Sequence, residues 1–316
     1  MFILILPIIF LGALAAGGLL TVGAARLGNA ERRQAPHPNQ LEQPGRTSRN
    51  DESVPQSIRQ YLEQEGTPVT QGLINIINER RRQTSNGPLF VCIGEEHLLS
   101  QRMGDSIIDF FQTYSRNLTP EQRRSVVVAI ELRPDSSRLL TLPLEDLERE
   151  RNYTTIERVL IGARRAGFRV VLVDPVTTED MRRTTEGANA REETIYNNVR
   201  RLTQGLTNPT IFYYGGAAHT SRTPCRTDSA LLISTLATRL ISTYRGNSVI
   251  SIRSVSMMRG FEVGSSHNRI SLHRVIPNGS NPVIAPVGGP IRYMGSSLNR
   301  SGTYDYIITS PGQIIR

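Results

Sequence analysis

Lysine does not occur in this sequence: all 37 basic residues among its 316 are arginine. Lysine is among the commonest residues of ordinary chains, so about a dozen or more would be expected. GC-rich coding favours arginine, but the many Ile, Asn and Thr residues argue against base composition as the whole cause. A chain without lysine offers ubiquitin no side-chain acceptor. On entering a eukaryotic cytosol it would escape that tag, as expected of a bacterial effector or toxin acting inside a host. Compositional drift with a preference for surface arginine is the competing explanation. Tryptophan is absent too, and no basic block is interleaved with aromatics. The net charge of +9 is spread over Arg80 to Arg82, Arg123-Arg124, Arg164-Arg165, Arg182-Arg183 and Arg200-Arg201, on or beside expected helices. That pattern reads as solvated surface, and no nucleic-acid partner is expected. The two cysteines, Cys92 and Cys225, do not form a metal-type pair, and nothing in the sequence demands a disulfide. No repeat at a fixed period appears.

One long apolar run is present. Phe2 to Ala25 carry no charge and could span a bilayer or serve as a secretory signal, with Arg26, Arg32 and Arg33 behind them. Residues 1–30 are therefore expected to be a signal peptide or membrane anchor, which makes the protein secreted or membrane-anchored. Residues 31–55, rich in Gln, Asn, Pro, Arg, Ser and Glu, read as a disordered linker. Beyond it, helices and strands alternate. Helices are expected over Gln71–Arg82, Leu99–Tyr114, Thr155–Ala166, Asn189–Leu206 and Ala230–Tyr244, and Thr119-Pro120-Glu121 is a helix start. Strands are expected over Leu89–Ile93, Ser125–Ile130, Arg169–Val173, Thr210–Tyr214 and Ser248–Ile252. The strand runs are continuously apolar rather than alternating, as in strands covered on both faces. The expected fold class is α/β over residues 56–275, a mostly parallel sheet with helices on both faces. Residues 276–316 read as a loop-rich tail with one hairpin.

The chemistry gathers at strand ends. The first strand runs into Gly94-Glu95-Glu96-His97, the second into Glu131, the third into Asp174-Pro175. The fourth ends in Gly215-Gly216-Ala217-Ala218-His219. Ligands of open α/β sheets bind outside the carboxyl ends of strands, so two Gly-x-x-His motifs delivered there can converge. Imidazole and carboxylate are the ligand set of zinc, iron or manganese. His97, His219 and a carboxylate, Glu95, would hold a metal with a position open for water, and the metal would make that water a hydroxide nucleophile. Glu95 or Glu131 would be the general base. Asp174-Pro175 also suits a turn start, and Glu96 suits a solvated neighbour. His37, His267 and His273 lie outside the pattern.

These motifs resemble the TIKI/TraB superfamily, with its ChaN-like haem-binding and erythromycin-esterase-like relatives. The resemblance rests on Ile93-Gly94-Glu95-Glu96-His97, on Val126 to Arg133 closing in Glu131-Leu132, and on Gly216-Ala217-Ala218-His219. Arg191-Glu192-Glu193 adds a weaker match, and the whole covers roughly residues 85–222. It implies a metal-dependent hydrolase acting on peptides. Its metal would be a divalent Mn, Co or Zn ion on His97, His219 and Glu95. Glu95, Glu131 and Arg191 would be catalytic, with Arg191 steadying a carboxylate or an oxyanion. Two other readings follow from the relatives. One is a haem-binding protein with Tyr213 or Tyr214 as axial ligand. The other is a metal-free hydrolase of small esters with a histidine base and glutamates.

Overall fold

The computed structural model describes residues 53–84, 86–95, 101–150, 152–226, 231–256, 261–262, 269–270, 281–288 and 303–310. The expected signal or anchor (1–30), most of the expected linker, and His97 lie outside them. Among the described residues, no helix is long and apolar enough to cross a membrane.

Eight strands build the main sheet: β1 (Thr67–Pro68), β2 (Leu89–Glu95), β3 (Val126–Ile130), β4 (Arg169–Leu172), β5 (Thr210–Gly216), β6 (Val249–Ser256), β7 (Val283–Pro286) and β8 (Tyr306–Ser310). Their spatial order is β1-β7-β8-β6-β2-β5-β3-β4. The six strands from β8 to β4 are parallel, and β7 runs antiparallel to both its neighbours. β5 inserts between β2 and β3, so the strands carrying Glu95, Glu131 and the second Gly-x-x-His lie side by side.

The long helices are α1 (Ser53–Glu65), α2 (Val69–Gln83), α3 (Gln101–Arg116), α4 (Thr155–Arg165), α5 (Thr185–Arg201) and α6 (Leu236–Tyr244). Side chains alternate across each strand, which divides the core in two. Leu89, Val91, Ile93, Phe212 and Tyr214 face α2, α3 and α4. Phe90, Cys92, Ile211 and Tyr213 face α5 and α6. β2, β3 and β5 are buried along their whole length, as their unbroken apolar runs require. β4 is half-open because it is the sheet's edge. Cys92 lies in the core, Cys225 is half-buried, and both are free thiols.

Four differences from the sequence reading have local causes. Helix α1 begins at Ser53, inside the stretch read as linker. α5 begins at Thr185 because the Thr184 hydroxyl accepts from Gly187 N–H, a cap four residues ahead of the apolar stripe. α6 begins only at Leu236, where Thr235 caps it, since Leu232–Ile233 pair as a short strand with Cys225–Arg226. The fourth concerns the segment read as a loop-rich tail, which supplies β7 and β8 to the main sheet. Ile284 and Ile308 join the core there, and Asp305 accepts from the Ser251 N–H and, through both carboxylate oxygens, from Arg222 Nη1.

Candidate functional site

The carboxyl ends of β3, β4 and β5 carry a connected group of buried polar side chains. Glu131 follows β3 and is its hub. One oxygen, Oε2, accepts from Tyr213 OH (2.8 Å) and Gly216 N–H (2.5 Å). The other, Oε1, accepts from Arg191 Nη2 (2.7 Å) and faces His219 Nε2 at 2.9 Å. Four donors on a side chain only 4% exposed satisfy both oxygens. Burial pushes this carboxyl up, but His219, Arg191 and the Gly216 amide outweigh burial and hold it below the ordinary carboxylate range.

Asp174, which follows β4, takes Arg191 side-on. Nε donates to Oδ1 at 2.8 Å and Nη2 to Oδ2 at 2.9 Å. The guanidinium thus clamps the ends of two adjacent strands, a fork that lysine cannot reproduce.

His219 sits in the 3₁₀ turn Ala217–Thr220 that follows β5. Its Nδ1 contacts Glu192 Oε1, and the second Glu192 oxygen accepts from Leu236 N–H, the first residue of α6, at 3.0 Å. The ring therefore lies between two carboxylates, one on each nitrogen. Burial alone would lower its pKa, but Glu131 and Glu192 raise it from 6.5 to about 10. At neutral pH it is an imidazolium shut away from water.

Two glycines make room for this packing. A Cβ at Gly215 would stand 2.3 Å from Glu131 Oε2 and 2.6 Å from its Cβ. A Cβ at Gly94 would stand 2.6 Å from Ala217 Cα, where the 3₁₀ turn crosses β2. Glu95, at the end of β2, pairs in register with Gly216 of β5 and accepts from Tyr214 OH at 2.5 Å. It lies across β5 from the hub, and the tyrosine it bonds faces the opposite side of the sheet from Tyr213.

Of the residues singled out from sequence, Glu131, Asp174, Arg191 and His219 form one network, and Glu95 stands on the neighbouring strand. His97 lies outside the described residues. Glu192 was noted only within the weaker match Arg191-Glu192-Glu193, with no role assigned, yet it orients His219. A signal for it was available. Glu192, Ile195, Tyr196 and Val199 stand at i, i+3, i+4 and i+7, so the carboxylate falls on the buried stripe of α5. Tyr213 and the Gly216 amide had no comparable signal.

The described donors do not fit the expected metal. Both ring nitrogens of His219 face carboxylates, which leaves no lone pair to offer, and both oxygens of Glu131 are engaged. Among the described residues, no group of three or more His, Cys, Asp or Glu side chains is placed to hold a metal ion. Haem fares no better on the tyrosines: Tyr213 and Tyr214 spend their hydroxyls on Glu131 and Glu95.

No family model and no curated protein matches the chain. Among solved structures, a Bacillus cereus protein shares its fold with a TM-score of 0.50 and 12% identity, over 83% of this chain and 99% of its own. The type III effector HopBA1 matches with a TM-score of 0.39 and 12% identity, over 71% of this chain and 88% of its own. A mutant of the erythromycin esterase EreC, in its open conformation, matches with a TM-score of 0.31 and 8% identity, over 83% and 67%. At such identities the Bacillus cereus protein shows the fold alone.

Proposed function

We propose that this protein is a hydrolase of small esters or related acyl bonds that works without a metal. The observation that carries the reading is the imidazolium of His219, held between two buried carboxylates at the carboxyl ends of parallel strands. Burying such a group is costly, and well-packed apolar side chains commonly serve stability as well or better. Strongly shifted groups in this position of an α/β sheet more often serve chemistry.

In this reading Glu95 takes the proton of an attacking water as its oxygen bonds to the substrate carbonyl. Arg191, whose guanidinium keeps 23% exposure, faces the negative charge that develops on the carbonyl oxygen, while His219, with a carboxylate on each ring nitrogen, holds Glu131 in place. Collapse of the intermediate breaks the acyl–oxygen bond, and the proton returns to the leaving alkoxide. Glu131 has too little proton affinity to be the base; it orients His219 and Arg191. Glu192 fixes the other side of the ring. Export, read from Phe2 to Ala25, and an effector-like role, read from the absence of lysine, belong to the same proposal.

The test is hydrolysis of a panel of p-nitrophenyl esters, lactones and peptides by the full chain, with and without a strong chelator. Ester or lactone turnover is expected to survive chelation. Glu95→Gln is expected to lower kcat by about 10²-fold or more with the fold intact. Loss of activity in chelator and its return with Mn, Co or Zn would support the metal-dependent reading through His97 instead. No turnover of any substrate would remove the hydrolase reading.

A further inference from the structure

The structure sorts the arginines into two groups. In the first, the guanidinium fork is needed. Arg191 joins Glu131 to Asp174, Arg164 donates to Leu139 O and Leu142 O, and Arg81 reaches Gly87 O, Pro209 O and Thr210 Oγ1. A lysine, a point charge with one nitrogen, cannot make these patterns.

The second group makes no such demand. Arg124 pairs with Glu121, Arg149 with Asp146 and Arg183 with Glu179, each across one turn of a helix surface. Their side chains are 72%, 81% and 76% exposed. Pairs of this kind are weak, and lysine serves them as well as arginine. Geometry leaves these positions open to lysine, yet none of the 316 residues is one. Base composition does not account for this, because asparagine, which shares its first two codon letters with lysine, occurs 17 times. What separates the two side chains at such positions is reactivity. A lysine amine accepts acyl groups, ubiquitin among them, whereas a guanidinium stays protonated.

We infer that this chain works where ubiquitin-conjugating enzymes are present, and that its surface is kept free of amine acceptors so that it is not conjugated and degraded there. The inference deepens the effector-like role proposed above, and its test does not depend on the hydrolase chemistry. Its test uses the full chain in a eukaryotic cytosolic extract supplied with ATP and tagged ubiquitin. Wild type is compared with the triple variant Arg124→Lys, Arg149→Lys, Arg183→Lys. A second triple variant with Gln at the same three positions removes the ion pairs without adding an amine. Wild type and the Gln variant are expected to show no conjugate ladder and equal half-lives. The Lys variant is expected to show a ladder and a half-life several-fold shorter, restored by a proteasome inhibitor. Equal half-lives for all three, a ladder of equal strength on wild type, or a Gln variant lost as fast as the Lys variant would each overturn the inference.

Discussion

His219 holds its proton by virtue of Glu131 and Glu192, and that makes the stability of the protein depend on pH. Its folded pKa, about 10, lies above the unfolded value of 6.5. The stability it contributes is therefore complete below about pH 6.5 and is lost as pH rises toward 10. Glu131 behaves in the opposite sense. Its folded pKa lies below 4.5, so its contribution is complete above that value and is lost on acidification. Thermal unfolding of wild type should show a plateau between these limits and a fall between pH 6.5 and 10. His219→Gln should be less stable at pH 6.5 and flatter across the alkaline range. An alkaline slope equal in the two proteins would mean that the imidazole is not held charged. At this scale the sequence displayed most of the participants, since Glu131, Asp174 and His219 each end or follow a strand. It placed Arg191 and Glu192 on one helix but not the strand end that each meets, because consecutive residues of a helix point about 100° apart and the two serve different neighbours.

β5 and the 3₁₀ turn after it are the element on which the site depends. The Gly215 position brings Glu131 against the strand, and the next amide, that of Gly216, donates to it. Gly215→Ala places a methyl 2.3 Å from Glu131 Oε2, so the carboxylate or the strand must move. We expect a loss of about 1–3 kcal/mol in urea unfolding together with loss of hydrolysis. Thr119→Ala, which removes the capping box of the short helix Pro120–Arg124 just before β3, at the amino end of the sheet, should cost about 1 kcal/mol and leave turnover unchanged. Wild-type stability and turnover in Gly215→Ala would show that the strand accommodates the methyl. The element itself was legible, because Thr210 to Tyr214 is an apolar run closed by glycines. The closeness of Glu131 was not, because it comes from β3 and β5 being neighbours.

At the scale of the molecule, β7 and β8 complete the sheet beside β6. Ile284 and Ile308 are buried with α2 and β6 in one core, and Arg222 ties Asp305 to the middle of the fold. A chain ending at residue 280 loses both strands, uncovers the edge of β6 and leaves Arg222 without its carboxylate. It should fail to unfold cooperatively and should aggregate, as seen by size-exclusion chromatography and denaturant titration. β1, which pairs only with β7, is released as well, and a monomer with the wild-type midpoint would show that the five strands left in the sheet suffice.

By itself, the sequence determined the buried parallel strands, the helices between them and the polar residues at the strand ends. Those features are local: an unbroken apolar run, a capping threonine and a closing glycine act within a few residues. Tertiary structure alone decided that β5 lies between β2 and β3 and that the C-terminal segment belongs to the same sheet. It also decided that Arg191 bridges Glu131 across 60 residues and that Gly216 donates to Glu131 across 85. No local period records such contacts. They arise when two apolar faces of one sheet are covered at once, and the strand order that achieves this brings the charged residues together at its carboxyl end.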